Sequence, residues 1–326
     1  MRKAERGKAL KTLQSWAQTG ATFVLLLALL TLGAPPAAAA HKALLVLVPA
    51  AGLPDLIQAS TPNLDRLLAE RGAIGLLNTR TAGGYTPENG YLTLGAGARG
   101  ATSPSALLAL NAEEALPSDG AGSAETGAVL FARHTGLSAP PGSVVVPGIA
   151  GIVADTQALD QEVLPGLLGE MLRREGKKVA VVGNADGGGV FVRPAALVAM
   201  DARGLVPAGE VGPVLLRRAP LRPYGVSADY GRLAAEVQRW LEVCDLVVVD
   251  PGDTLRLENY ARWLTPGLQS LQRRQALEEL DAFLGRFLPA LARGELRLFL
   301  ASPLPTGQAI ERNATLTFFI LAGDGV

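Results

Sequence analysis

Residues 85–99 read Tyr85-Thr86-Pro87-Glu88-Asn89-Gly90-Tyr91-Leu92-Thr93-Leu94-Gly95-Ala96-Gly97-Ala98-Arg99, a run of hydroxyls and glycines whose setting decides the fold. Upstream lies Thr61-Pro62-Asn63-Leu64-Asp65-Arg66-Leu67-Leu68-Ala69-Glu70-Arg71-Gly72-Ala73, and before it the apolar run Ala43 to Val48. That run is almost wholly apolar, as a strand covered on both faces must be. Leu64, Leu67 and Leu68 share one face of a helix from Asn63 to Arg71; Thr61 stands at its N-cap, Pro62 at its first position and Gly72 at its stop. Gly75-Leu76-Leu77 predicts a short strand, and Thr86-Pro87 opens a second helix as Thr61-Pro62 opens the first.

The same alternation continues downstream. Helices are predicted near Asp160 to Arg174, over Tyr230 to Val243 and over Gln269 to Arg293; strands over Lys178 to Val182, Leu246 to Val249, Leu296 to Ala301 and Thr315 to Leu321. Strands alternating with helices make an α/β domain around a mainly parallel sheet. The stretch 100–155 is rich in Ala, Gly, Ser and Pro without a sustained period, and is expected to be an irregular insertion into the domain 41–326.

At the start, Arg2, Lys3, Arg6, Lys8 and Lys11 face the single acid Glu5, followed by the apolar run Thr22 to Ala34, two prolines and four alanines. This is the pattern of a secretory signal peptide over 1–40, cut after Ala40, which puts the remainder outside the cytoplasm. The apolar run is shorter than the ~20 residues of a comfortable span, though left uncleaved it would tether the chain to a membrane. The ending, just after an apolar strand, reads as the edge of a longer protein, whose continuation would be a second route to a membrane. Lys and Arg number 30 against 30 Asp and Glu, so no charge excess calls for a nucleic-acid partner. Cys244 is alone, which excludes an internal disulfide and suits a buried thiol.

A strand, then TPNLDRLLAERGA, then a loop of hydroxyls and glycines resembles the opening of the alkaline phosphatase superfamily, and EN-GYLTLGAGAR is similar to the serine loop of its cofactor-independent phosphoglycerate mutases. The resemblance implies a three-layer α/β sandwich and metal-dependent chemistry on phosphate or sulfate esters, with zinc, manganese or magnesium as the metal. It makes Thr86 the candidate nucleophile, Asn89 and Arg99 the candidates for substrate binding, and Asp250 and Asp253, at a strand end, the candidate metal ligands. Thr86 equally suits the N-cap of the helix opening at Pro87.

The departures weigh as much as the matches. Ala51 stands where the first strand should end in an Asp ligand, Leu255 to Asn259 holds none of the expected His, and Pro303-Leu304 replaces an Asp-His pair. The chain has only two histidines, His41 and His134, and neither falls on a motif position. A site holding two ions needs several imidazoles together with carboxylates. Two readings stand: a member that has lost its metal ligands and binds or scaffolds without a cofactor, or a hydrolase using Thr86 beside an oxygen-only site of Asp55, Asp250, Asp253 and Glu258. Asp55 also reads as a helix-capping carboxylate. Neither Gly95-Ala96-Gly97, which follows a helix, nor Asn184 to Gly189, which lacks the spacing, meets the dinucleotide pattern.

Overall fold

The computed structural model describes residues 42–116 and 125–325; the signal-peptide reading of 1–40, His41 and the run 118–123 lie outside them. Seven strands form the central sheet: β1 (Lys42–Leu47), β2 (Gly72–Asn78), β3 (Val179–Val182), β4 (Ala208–Glu210), β5 (Leu246–Val249), β6 (Leu296–Ala301) and β7 (Leu316–Ala322). Their order is β2-β7-β6-β1-β5-β3-β4. Pairing is parallel from β6 through β1 and β5 to β3 and β4, and antiparallel where β7 joins β6 and β2 joins β7.

Because side chains alternate along a strand, the near-continuous apolar runs supply two cores. Val179, Val181, Leu246 and Val248 face one side; Ala180, Val182, Val247 and Val249 face the other. The second side is covered by α1 (Pro62–Arg71), α3 (Tyr230–Val243) and α5 (Pro266–Gly285), through Leu64, Leu67, Leu233, Val237, Leu280 and Phe283. The first is covered by α2 (Pro87–Ala96) and by the helices Ile149–Gln157 and Ala196–Ala199, through Tyr91, Leu92, Ile152 and Leu197. Helix, sheet, helix: the architecture is the expected three-layer sandwich.

Local differences from the sequence reading have local causes. The long helix expected to run to Arg293 ends at Gly285, and a separate helix Leu288–Ala292 carries Pro289 in its first turn, where its missing N–H does no harm. The helix expected from Asp160 starts only at Leu167, after Pro165 and Gly166, the latter at φ 76°. Thr61 holds the N-cap position of α1 without capping it. The cap comes instead from the buried Asp281 of α5, which accepts from Leu64 N (2.8 Å), Asn63 N (3.2 Å) and Asn63 Nδ2 (2.8 Å). One carboxylate thus satisfies the orphan donors of α1 and fixes it to α5.

Within 100–155 the described residues include the helices Gly127–Thr135 and Ile149–Gln157 and the short strands Leu110–Asn111 and Val144–Val145, which pair with each other, Val144–Val145 pairing on its other side with Leu205–Val206. Leu110, Phe131, Val145 and Leu205 make a small core of their own. Arg193, wholly buried, ties this part to the sheet: its guanidinium donates to Asp186 Oδ2 (2.7 Å), Glu114 Oε2 (2.6 Å) and Ala109 O (2.9 Å). No helix among the described residues is long and apolar enough to cross a membrane.

Candidate functional site

The carboxyl ends of β1, β5 and β6 and the start of α2 converge, as they do around the ligand site of an open α/β sheet. Thr86 precedes α2 in extended conformation (φ −121°, ψ 156°), and its side chain makes no cap bond. Its Oγ1 is buried and has no hydrogen-bond partner among the described residues. The structure therefore gives Thr86 the N-cap position without the N-cap contact.

Asn89, in the first turn of α2, is buried, and its amide is committed to the loop: Nδ2 donates to Gly84 O (3.1 Å) and Oδ1 accepts from Thr102 N (2.8 Å). Arg99 is exposed beyond the far end of α2. Ten helical residues separate it from Thr86, roughly 15 Å of axis, so the two are not brought together. The glycines between them serve packing. A Cβ at Gly90 would lie 2.7 Å from Pro303 O and one at Gly95 2.5 Å from Leu197 O, so both let α2 press against neighbouring backbone.

Asp250 ends β5 with its side chain 1% exposed. Tyr91 Oη donates to its Oδ2 at 2.5 Å and Gly252 N to its Oδ1 at 2.8 Å. Burial lifts the carboxyl to about 6, although these two bonds and the charge of Arg256 pull it downward. Burial, together with the neighbouring Asp250 carboxylate, pushes the Tyr91 phenol well above its ordinary value, so it remains a donor.

Asp253 opens α4 (Asp253–Tyr260); its Oδ1 accepts from Ala228 N (3.1 Å) and from Arg256 Nη2 (2.7 Å). The Arg256 guanidinium, itself 1% exposed, also donates to Asn184 O (2.8 Å) and Pro251 O (2.7 Å). The positive charge beside this acid pair therefore belongs to the chain.

Asp253 Oδ2 is buried without a hydrogen-bond partner among the described residues, while the remaining candidates have structural contacts of their own. Asp55 Oδ2 accepts from Gly52 N (2.7 Å), capping the helix Leu53–Gln58, and Glu258 accepts from Arg273 Nη2 (2.8 Å) and Gly307 N (2.7 Å). Among the described residues no three His, Cys, Asp or Glu side chains gather as a metal-holding group. His134 sits on the helix Gly127–Thr135 against Pro147 O.

Apolar side chains and backbone fill the rest. Leu304 is buried with Ala185, Val192 and Leu255, and Tyr85 and Leu107 pack against them. Ala51 is fully buried, and its carbonyl accepts from Ser302 Oγ at 2.7 Å, stitching the end of β1 to that of β6. The cavity beside Val48, Gly252 and Asp253 measures about 10 Å³, room for one water at most. A larger hollow of about 620 Å³ lies elsewhere, between the helices Ile149–Gln157 and Leu167–Arg174.

No protein-family profile and no curated protein sequence matches the chain. Solved structures do. The PH0037 protein from Pyrococcus horikoshii is similar at 13% identity and TM-score 0.49, over 88% of this chain and 89% of that one. A protein in the alkaline phosphatase superfamily from Vibrio parahaemolyticus is similar at 13% identity and TM-score 0.44, over 87% of this chain and 60% of that one. The chain's own geometry is a three-layer α/β sandwich around a seven-stranded, mainly parallel sheet. The lipoteichoic acid synthase LtaP from Listeria monocytogenes is similar at 11% identity and TM-score 0.46, over 90% of this chain and 68% of that one. Likenesses at these identities carry no reaction with them.

Tyr91 and Arg256 are the residues that sequence reasoning passed over. Tyr91 lies in the quoted loop, one and a half helical turns beyond Thr86. Arg256 follows Asp253 by three on α4, the spacing at which an ion pair forms on a helix. That signal was present in the sequence.

Proposed function

We propose that this chain is a non-catalytic, extracytoplasmic domain of alkaline-phosphatase-like fold that binds or scaffolds at the cell envelope. The observation that carries the reading is Arg256, a buried guanidinium beside Asp250 and Asp253 where a hydrolase would keep a divalent ion. Ala51 and Leu304, which offer no donor side chain, support it, as do the use of both Glu258 oxygens and of Asp55 Oδ2 as structural acceptors. The basic, apolar and small-residue blocks of 1–40 support export.

One observation favours a second reading, a phosphate- or sulfate-ester hydrolase: the buried, unpartnered hydroxyl of Thr86 ahead of a helix N-terminus is poised as a nucleophile would be. The two are separated by incubating the full chain with zinc, manganese or magnesium, measuring bound metal by elemental mass spectrometry and assaying p-nitrophenyl phosphate, its diester and p-nitrophenyl sulfate. The expected result is negligible bound metal and no turnover above buffer. Turnover that disappears in Thr86→Ala would establish the hydrolase instead.

A further inference from the structure

Among the described residues β2 closes one end of the sheet and pairs only with β7. Its residues, Gly72-Ala73-Ile74-Gly75-Leu76-Leu77-Asn78, include no charge and no proline, the devices that ordinarily guard a sheet edge. Ile74 is 45% and Leu76 64% exposed, both on one face. The direction of the backbone groups follows from the register. Ala322 is opposite Gly72, and one step further Gly323 N donates to Arg71 O at 3.1 Å, which makes residues 71 and 323 a hydrogen-bonded pair. Such pairs alternate along an antiparallel ladder. Ala73, Gly75 and Leu77 therefore turn N–H and C=O toward β7, and Gly72, Ile74, Leu76 and Asn78 turn theirs to the open edge.

We propose that this edge is a self-pairing surface on which a second copy of the chain docks β2 against β2, antiparallel about a two-fold axis at Gly75. The strand is its own complement there. With the axis at Gly75, Ile74 lies opposite Leu76 of the second copy, Gly72 lies opposite Asn78, and every outward N–H and C=O meets a partner. Moving the axis to residue 74 or 76 leaves part of the strand unpaired. Each apolar cross-strand pair adds roughly 0.2–1 kcal/mol, and no like charges oppose one another. An isologous contact needs only one surface, used twice. The pairing is independent of whether Thr86 has a catalytic role.

The full chain tests it. In this register the Gly75 residues form a non-hydrogen-bonded pair with Cα atoms roughly 4.5 Å apart, within disulfide range. A Cβ at Gly75 meets nothing within 4 Å, and the native Cys244 is buried, so Gly75→Cys fits and reports alone. Oxidised Gly75→Cys should run as a covalent dimer. Ala73→Cys should not, because its two copies lie four residues apart along the strands, roughly 13 Å. By sedimentation equilibrium the native chain should be dimeric and Leu76→Lys monomeric with an unchanged circular dichroism spectrum. Ile74→Lys combined with Leu76→Glu should dimerise again, since each introduced lysine then faces an introduced glutamate. A monomeric native chain, or a dimer that neither crosslinks through Gly75→Cys nor weakens in Leu76→Lys, overturns the proposal.

Discussion

Asp250 is one residue through which pH reaches this fold. Burial raises its carboxyl from 3.8 to about 6, so the folded state binds that proton more tightly than the unfolded chain does. The sign follows. The stability this group contributes is whole below about pH 4 and is lost as pH climbs through about 6, a change of about 3 kcal/mol. Urea denaturation of the native chain and of Asp250→Asn at several values between about pH 4 and pH 7 should give curves whose difference varies over this window, the native chain losing ground as pH rises. Parallel curves would show that the carboxyl is not held in its neutral form. That Asp250 ends a strand was legible in the sequence, whereas its bond to Tyr91 spans 159 positions and leaves no trace in local periodicity.

At the scale of elements, α2 shows what the glycines of the quoted loop are for. Gly95-Ala96-Gly97 misses the dinucleotide pattern in the sequence, and in the fold Gly90 and Gly95 are positions where the helix touches the backbone of Pro303 and Leu197. Alanine is the better helix former by about 1 kcal/mol, so propensity alone predicts that Gly95→Ala stabilises. Contact decides otherwise: the added methyl would sit 2.5 Å from a carbonyl oxygen of neighbouring backbone. Overpacking of this kind costs about 1–3 kcal/mol, and the melting temperature of Gly95→Ala should fall; a rise would mean that the two segments separate easily. Elements with a complete period were legible to the residue, as in Tyr230–Val243, Leu246–Val249 and Leu296–Ala301. The two-residue strands Leu110–Asn111 and Val144–Val145 are too short to show any period, and long-range pairing defines them.

Across the whole molecule the frame was legible because apolar runs and helical stripes are local statements, and the lack of a donor side chain at positions 51 and 304 was legible because Ala and Leu stand there. The long-range ties were not legible, since the bonds of Arg256 to Asn184 O, of Asp281 to Leu64 and of Arg193 to Glu114 join segments far apart in sequence. Arg193 shows how much one such residue can carry. Among the described residues it alone brings a buried positive charge to Asp186 and Glu114, joining the segment that carries Leu110 of the small core to the loop after β3. Arg193→Met would leave two carboxylates facing each other in the interior, a loss of about 3–5 kcal/mol for an uncompensated buried charge. Because the small core packs mainly on itself, the change should be uneven: hydrogen exchange should accelerate most over residues 109–114 and 127–145 and least in β1, β5 and β6. An equal acceleration everywhere would mean that Arg193 holds the sheet and the small core together as one cooperative unit.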